Sequence, residues 1–374
     1  MKAAPIYAHA DIRGGEDVRI LKVVELPEAE AGDWPRDKLL IWNAHASPDF
    51  AGSLSTSRDV FRGSVAVAGL SGANTVGPGD VVRLDPANQQ ISILYRRGSN
   101  ANAFIVTDRC NSLCLMCSHP PKPENDGWRL GDIIQTAALV DRNESQIAFT
   151  GGEPTLLGQA FASVLSVCGA FLPDTQFHIL TNGRRLSDPE LAQMLVAAAG
   201  RQALWVVPLH ADKAAVHDDI AGVHGAFEET LLGLKELARQ QARVKVRVVV
   251  HAMNLPHLPQ LAARICSEFP FVGGIDFAGL EPIGLARVFS DRLRVDPAPY
   301  SAALENVVLD LAAKGLAVSL SNLAACDLPP SLQRFAKGSS APSPAYAHFI
   351  QMRGGAIGKT HSAGHAAQGQ AARG

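Results

Sequence analysis

The stretch Cys110-Asn-Ser-Leu-Cys114-Leu-Met-Cys117 decides how this chain is interpreted. It holds three of the chain's six cysteines and comes directly after the apolar run 103–107. A loop this short can turn three thiolates toward one inorganic centre, and thiolates are the usual ligands of iron–sulfur clusters. Three protein ligands would leave one iron of a [4Fe–4S] cluster open to a further molecule.

Two other interpretations of these cysteines fit less well. A structural zinc site uses four ligands, commonly as two Cys-x-x-Cys pairs, and the chain has no second pair. Three unrelated core cysteines would not be expected within so few positions. We therefore predict that Cys110, Cys114 and Cys117 hold a [4Fe–4S] cluster.

The composition bounds the class of protein. A chain of 374 residues with 47% hydrophobic residues suits a barrel with an extension. The formal net charge of −2 gives no general attraction to nucleic acid or to an anionic membrane. The N-terminus lacks the apolar core of a signal peptide, and the chain lacks an uninterrupted apolar run of about 18 residues. We expect a cytoplasmic protein with neither nucleic acid nor membrane as a partner.

Residues 1–100 predict a mostly β N-terminal extension. Short β-like runs occupy 38–42, 64–68, 80–85 and 91–95. The last two flank Pro86-Ala-Asn-Gln-Gln90, which predicts a hairpin with a loop of about five residues. Substrate recognition and simple packing both remain open as the role of this extension.

From Ala103 onward the pattern becomes strands alternating with amphipathic helices, which predicts an α/β domain over 101–335 with a parallel sheet. Ser187 and Glu190 form a predicted capping box for a helix that follows. The predicted strands are 103–107, 146–150, 177–181, 204–209, 244–250 and 274–279, with a further strand-like run at 316–320. The predicted helices include 155–171, 227–239 and 299–314.

The C-terminal residues 336–374 have a different composition. They are rich in Gly, Ala, Ser and Gln, which predicts a disordered tail because too little apolar surface is available for burial. The run Gly354-Gly-Ala-Ile-Gly-Lys-Thr360 imitates a phosphate-binding loop, but Arg353 stands where that pattern needs Gly. We therefore expect no nucleotide site there.

Candidate site residues follow the predicted strands, at the edge where α/β folds collect their ligands. Gly151-Gly152-Glu153-Pro154 follows the second strand, where glycines allow close backbone approach and Glu153 offers a carboxylate to an ammonium group. Asn182 and His210 follow the third and fourth strands, and each is also compatible with a purely structural role. Asn254 and Glu281 are placed similarly after the fifth and sixth strands.

The thiol loop resembles the signature of the radical S-adenosylmethionine (radical SAM) superfamily. The Gly-Gly-Glu-Pro run resembles the second motif of that family, which contacts the amino group of the bound methionine moiety. Met116 departs from the pattern, because the family usually has an aromatic residue before the third cysteine. The resemblance implies a partial (βα)6 barrel and an S-adenosylmethionine site. It implies cofactor contacts from Met116, Gly151, Gly152, Glu153, Pro154, Asn182, His210 and Gly284.

Within the superfamily, residues from about 60 to 335 most resemble the His-Xaa-Ser system radical SAM maturases. This implies a peptide substrate with His-Xaa-Ser repeats, a partner maturase, and a reductant such as flavodoxin or ferredoxin. Cys326 stands alone where relatives continue into a Cys-rich segment. Two alternatives remain open: a sulfatase-maturase-like or small-molecule radical SAM enzyme, and a non-catalytic iron–sulfur redox protein.

Overall fold

The structure is a computed structural model, and it describes residues 7–9, 11–13, 16–44, 46–55, 65–68, 76–295, 297–323 and 328–336. The described residues form two β-sheets. The strands of the first lie between residues 7 and 95, and those of the second between residues 103 and 321. The tail 337–374, Cys326 and the start of the predicted run 64–68 lie outside the described residues.

The N-terminal sheet has eight strands, which confirms a mostly β extension. Its strand order is β1-β8-β7-β3-β4-β5-β6-β2. The strands are β1 (Tyr7–His9), β2 (Asp11–Arg13), β3 (Arg19–Val24), β4 (Leu39–Trp42), β5 (Gly52–Leu54), β6 (Ala66–Ala68), β7 (Val81–Asp85) and β8 (Gln90–Tyr95). The two edge strands β1 and β2 are almost consecutive in the chain, so one short stretch pairs with both ends of the sheet and curls it.

The second sheet has seven strands, all parallel, in plain chain order. The strands are β9 (Ala103–Thr107), β10 (Gln146–Gly151), β11 (Gln176–Leu180), β12 (Leu204–Pro208), β13 (Arg243–Val250), β14 (Val272–Gly279) and β15 (Ala317–Ser321). All six predicted strands are present, shifted by at most two residues. The strand-like run 316–320 adds a seventh strand, because β15 pairs along β14 and extends the six-stranded unit that we predicted.

The described residues contain eleven α-helices: α1 lies between β3 and β4 of the N-terminal sheet, and the others follow strands of the parallel sheet. They are α1 (Leu26–Ala31), α2 (Trp128–Ala137), α3 (Gly158–Phe171), α4 (Pro189–Ala199), α5 (Ala214–Ala221), α6 (Ala226–Arg239), α7 (Leu258–Glu268), α8 (Leu285–Val288), α9 (Ser290–Leu293), α10 (Pro297–Ala313) and α11 (Pro330–Gln333). Alternate residues of β13, from Val244 to Val250, are buried against the helix layer, while the intervening residues face the other side of the sheet.

Two local predictions were wrong. Asp188, not Ser187, caps α4: its carboxylate accepts from the backbone N–H groups of Glu190 and Leu191, while the Ser187 hydroxyl donates to the Arg184 carbonyl. A carboxylate is the stronger acceptor at a helix N-terminus because the helix dipole favours negative charge there. The hairpin loop is shorter than predicted, because Gln90 pairs with Asp85 and begins β8.

The segment Pro154–Phe171 is long and apolar enough, by length and composition, to pass as a membrane span. Polar residues interrupt it, and α3 buries Phe161, Val164 and Leu165 in the core beside the parallel sheet. This contact explains the apolar composition as that of a core helix.

A buried ion pair joins the two sheets. Lys22 on β3 is fully buried, and its ammonium donates to the Leu139 carbonyl at 2.9 Å and to the Asp141 carboxylate at 2.6 Å. The same ammonium lies 4.0 Å from the centre of the Trp34 ring. Arg97 also binds Asp141, at 2.6 Å. These contacts attach the N-terminal sheet to the loop that precedes β10.

Candidate active site

The thiol loop follows β9 at the C-terminal edge of the parallel sheet. Cys110, Cys114 and Cys117 are each half-buried and unpaired in disulfides. The loop is hydrogen-bonded to the end of α5: the N–H of Leu113 donates to the Ala221 carbonyl at 3.0 Å, and a neighbouring bond joins Leu115 to Ile220. These contacts fix the loop backbone. The Cys110 sulfur accepts from the Ser112 N–H at 3.4 Å, and the Cys117 thiol donates to the His119 carbonyl at 2.9 Å.

Glycines allow three other segments to press against this loop. A Cβ on Gly152 would clash with the Arg109 carbonyl, and a Cβ on Gly284 would clash with the carbonyls of Cys117 and Ser118. A Cβ on Gly222, at the end of α5, would clash with the Leu113 carbonyl. Gly151 lies against Thr107 with a φ of 138°, which disfavours other residues. Gly151, Gly152 and Gly284 therefore lie directly against the thiol loop or the end of β9. Their predicted contacts with the cofactor stay predictions.

The three sulfurs are close enough to influence one another electrostatically. Burial is the main reason why the pKa of the Cys110 thiol is raised to about 11. The Ser112 N–H lowers this pKa, while negative charge on Glu153 and Cys117 contributes to raising it. Burial, followed by the charges of Cys117 and Cys110, raises the pKa of Cys114 as well. Protonated thiols are therefore favoured until a cation-rich centre stabilises the thiolates, as metal ions do.

Three thiols on one loop form a donor set that fits a [4Fe–4S] cluster. Among the described residues, no three His, Cys, Asp or Glu side chains are arranged around one ion position. A [4Fe–4S] cluster bonds each thiolate to a different iron, so its ligands need not converge on one point. Three mutually interacting thiols on a fixed loop meet that requirement.

Glu153 organises the backbone beside the thiol loop. Its side chain is fully buried, and one oxygen accepts from Thr155 N–H, Thr155 hydroxyl and Thr181 hydroxyl at 3.0, 2.5 and 2.7 Å. The other oxygen accepts from Asn182 N–H at 2.6 Å. Pro154 begins the short turn that follows and is also buried. The carboxylate thus joins the end of β10 to the end of β11, and its predicted role toward an amino group stays a prediction.

Asn182 contacts the thiol loop directly. Its amide nitrogen donates to the Asn111 side chain at 2.6 Å and lies 3.9 Å from the Cys110 sulfur. Sequence reasoning missed Arg184, whose guanidinium donates to the Asn111 carbonyl and to the Ser112 hydroxyl. The only available signal was its position two residues after Asn182. Arg184 is held by Glu229 on α6 at 2.6 Å.

Met116 lies in a small apolar cluster with Leu115, Met253, Leu280 and Phe289. This cluster packs the thiol loop against the loops after β13 and β14. The thioether therefore occupies a packed position beside the predicted cofactor site, where its polarizable sulfur can contact a flat ring.

His210 is 3% exposed and follows β12. Its backbone N–H donates to His217 Nδ1 at 3.1 Å, and the two ring centroids lie 4.9 Å apart.

Asn254 follows β13. Its side chain accepts from the His251 N–H at 2.9 Å and donates to the Val249 carbonyl, so it caps a turn. Glu281 accepts from Asn322 at 3.0 Å, and burial raises its pKa to about 7.

Comparison with known proteins identifies the class. Residues 104–264, from β9 into α7, match the family model described as the radical SAM superfamily. The chain therefore carries a radical SAM domain, which implies a [4Fe–4S] cluster and S-adenosylmethionine as cofactors. The matched residues begin after the N-terminal sheet and end before β14, a narrower span than the sequence resemblance suggested.

Two curated relatives show the range of activities around this domain. The AdoMet-dependent heme synthase of Nitratidesulfovibrio vulgaris is 26% identical over 207 residues, which are 54% of this chain and 53% of the relative. The sporulation killing factor maturation protein SkfB of Bacillus subtilis is 23% identical over 173 residues, which are 45% of this chain and 40% of the relative. The chain thus spans about half the length of the curated relatives that it matches.

Two solved structures are similar over part of the chain. Native anSMEcpe with bound AdoMet has a TM-score of 0.47 and 18% identity, over 58% of this chain and 62% of that one. Streptococcus suis SuiB bound to precursor peptide SuiA has a TM-score of 0.43 and 14% identity, over 59% and 48%. None of these relatives is specific to the His-Xaa-Ser group.

Proposed function

We propose that this chain is a radical SAM enzyme that modifies a peptide bearing His-Xaa-Ser repeats. The observation that carries the proposal is the three-thiol loop at the C-terminal edge of a parallel sheet, with glycines from three other segments pressed against it. Support for a peptide substrate comes from the motif resemblance and from two relatives of Bacillus subtilis, one named as a sporulation killing factor maturation protein and one as an antilisterial bacteriocin biosynthesis protein.

Cys110, Cys114 and Cys117 would hold the [4Fe–4S] cluster. With S-adenosylmethionine bound and one electron from a reductant such as flavodoxin or ferredoxin, the cluster would supply the radical chemistry that removes a hydrogen atom from the substrate. The protein residues orient the cofactor and exclude water. Met116, Gly151, Gly152, Glu153, Pro154, Asn182, His210 and Gly284 would line the S-adenosylmethionine site.

The test compares thiol variants after anaerobic reconstitution. The wild type should bind about four irons per chain, the content of one [4Fe–4S] cluster, and form 5′-deoxyadenosine from S-adenosylmethionine. Replacing Cys110, Cys114 and Cys117 with Ala should abolish both. The matched control is Cys266→Ala on α7, which should retain both because Cys266 packs at the edge of the core. Retained cofactor cleavage in the triple variant would contradict the assignment.

The substrate is tested separately by mass spectrometry of a synthetic His-Xaa-Ser repeat peptide after the reaction. A mass change that needs S-adenosylmethionine supports peptide modification. A second candidate is a small-molecule reaction, favoured by three heme synthases among the curated relatives. Cofactor cleavage with an unmodified peptide, together with conversion of a tetrapyrrole, would favour that candidate.

A further inference from the structure

Arg184 places a buried positive charge against the thiol loop. It follows β11, and its side chain is 10% exposed. The guanidinium donates to the Asn111 carbonyl and, at 3.1 Å, to the Ser112 hydroxyl. Both acceptors lie between Cys110 and Cys114 in the chain. The charge therefore stands at the segment that carries two of the three predicted cluster ligands.

A chain of hydrogen bonds leads from this guanidinium to the Cys110 sulfur. Ser112 accepts from Arg184 through its hydroxyl, and its backbone N–H donates to the Cys110 sulfur at 3.4 Å. Asn182 adds a second contact, because its amide nitrogen lies 3.9 Å from the same sulfur. Its side-chain oxygen accepts from the Arg184 N–H at 3.1 Å. Arg184 thus supports both donors that face this sulfur.

The counter-ion of Arg184 does not cancel its charge at the loop. The Arg184 Nε binds Glu229 on α6 at 2.6 Å, while Nη1 binds the loop, so the positive group lies between the loop and its counter-ion. The Glu229 side chain is 45% exposed, against 10% for Arg184. Water and salt screen an exposed charge more than a buried one. The thiol loop therefore experiences a net positive potential from this ion pair.

Such a potential bears directly on electron uptake by a cluster. One-electron reduction adds one negative charge, which a nearby buried cation stabilises. Net charge and hydrogen bonds to the sulfurs are among the quantities that set the reduction potential of an iron–sulfur cluster. Arg184 contributes to both, through its own charge and through the donor on Ser112.

We propose that Arg184 is a positioning residue that raises the reduction potential of the [4Fe–4S] cluster through its charge and its contacts with the thiol loop. The proposal rests on the three-thiol cluster of the proposed function. It requires neither the peptide substrate nor cleavage of S-adenosylmethionine. The step to be measured is the transfer of one electron from dithionite to the cluster, with no bond made or broken in the protein.

The experiment compares four variants with the wild type after anaerobic reconstitution. Arg184→Gln removes the charge and keeps a donor, whereas Arg184→Lys keeps the charge and loses the forked geometry. Glu229→Gln removes the counter-ion and leaves Arg184 in place. The matched control is Arg185→Gln, which removes the same charge from the next residue, where the side chain is exposed. Iron analysis gives the cluster content, and a dithionite titration followed by electron paramagnetic resonance gives the midpoint potential.

Arg184→Gln should lower the equilibrium constant for one-electron reduction by about tenfold, which is a fall of about 59 mV in potential. The fall should be smaller in Arg184→Lys, and Arg185→Gln should match the wild type because water screens its charge. Glu229→Gln should raise the potential. Shifts of opposite sign from the two partners of one ion pair are diagnostic of charge, because loss of support for the loop alone would move both variants in the same direction.

If Arg184→Gln holds too little iron to titrate, Glu229→Gln decides the proposal: a raised potential supports it, and an unchanged or lowered potential overturns it. Equal potentials in the wild type, Arg184→Gln and Glu229→Gln, or shifts in the same direction, would also overturn it. Those outcomes would leave the proposed function intact, provided that the wild type holds about four irons per chain. A wild type without a cluster would overturn the cluster assignment and this proposal with it.

Discussion

At the residue scale, Glu153 shows how one side chain can fix the backbone of a site. Its buried carboxylate accepts four hydrogen bonds from Thr155, Thr181 and Asn182. Burial raises its pKa, whereas these donors lower it. Since all four are N–H or O–H donors, the site requires an acceptor at both oxygens. An amide cannot supply this, because its nitrogen only donates.

We predict that Glu153→Gln lowers the free energy of unfolding by about 1–3 kcal/mol and weakens S-adenosylmethionine binding by a similar amount. Urea unfolding and calorimetry of the reconstituted protein measure the two effects. The control is Glu16→Gln in the exposed turn before β3, which should leave both unchanged. Wild-type behaviour of Glu153→Gln would show that its hydrogen bonds do not hold the site.

The buried histidine His251 gives a second prediction at this scale. Burial lowers its folded-state pKa to about 4, below the unfolded value near 6.5, so the unfolded chain binds the proton more readily. Its contribution to stability is therefore complete above about pH 6.5 and is lost as the pH falls toward 4. The loss from pH 7 to pH 5 should be roughly 2 kcal/mol smaller in His251→Phe than in the wild type. The control is His224→Phe, because His224 is exposed in the turn between α5 and α6, and this variant should follow the wild type in urea unfolding at both pH values. Equal losses of stability in the wild type, His251→Phe and His224→Phe would contradict the pKa of His251 given above.

At the element scale, the thiol loop is shaped by the elements around it. The end of α5 supplies two carbonyl acceptors, the start of α8 contacts the Cys117 carbonyl, and Asn182 after β11 binds Asn111. The loop is thus defined by contacts from elements far along the chain. Glycines permit these contacts because their Cα atoms can touch loop carbonyls.

We predict that Gly222→Ala reduces the iron content and the rate of 5′-deoxyadenosine formation by displacing Leu113. Gly225→Ala is a matched control: both glycines have positive φ, 68° and 81°, but a Cβ at Gly225 meets open space. Both variants should lose about 1 kcal/mol of stability from backbone strain. Only Gly222→Ala should lose iron, as measured by iron analysis after reconstitution. Equal iron contents would show that the α5 contact does not shape the loop.

At the scale of the whole molecule, Lys22 attaches the N-terminal sheet to the parallel sheet. Burial lowers the pKa of Lys22, while the Asp141 carboxylate raises it. We predict that Lys22→Met costs about 1–3 kcal/mol, because the buried Leu139 carbonyl loses its donor while Asp141 keeps Arg97. Hydrogen exchange should then show weaker protection in β3 and in the loop before β10.

The control for this prediction is Lys314→Met, which removes an exposed ion pair with Asp310 on α10. Exposed pairs contribute little, so its effect should be much smaller. If Lys22→Met and Lys314→Met had the same effect on unfolding and exchange, the buried pair would not join the two sheets.

The sequence by itself determined the class of this protein and the framework of its second domain. Cys110, Cys114, Cys117 and the Gly151–Pro154 run are local patterns with a definite spacing. Strands such as β9 and β12 are short apolar runs, and β13 alternates apolar with charged residues. Such signals lie within short stretches of chain. They were therefore readable before any contact was known, and the family match agrees with them.

Only the tertiary structure decided which distant residues meet at the site. Arg184 reaches Asn111, Gly222 touches Leu113, and Asn182 binds Asn111, yet none of these pairs has a local signature. The curling of the N-terminal sheet and the pairing of β15 likewise depend on residues far apart in the chain. Such contacts are set by how strands and helices pack together, and packing is a property of the folded chain rather than of any one segment.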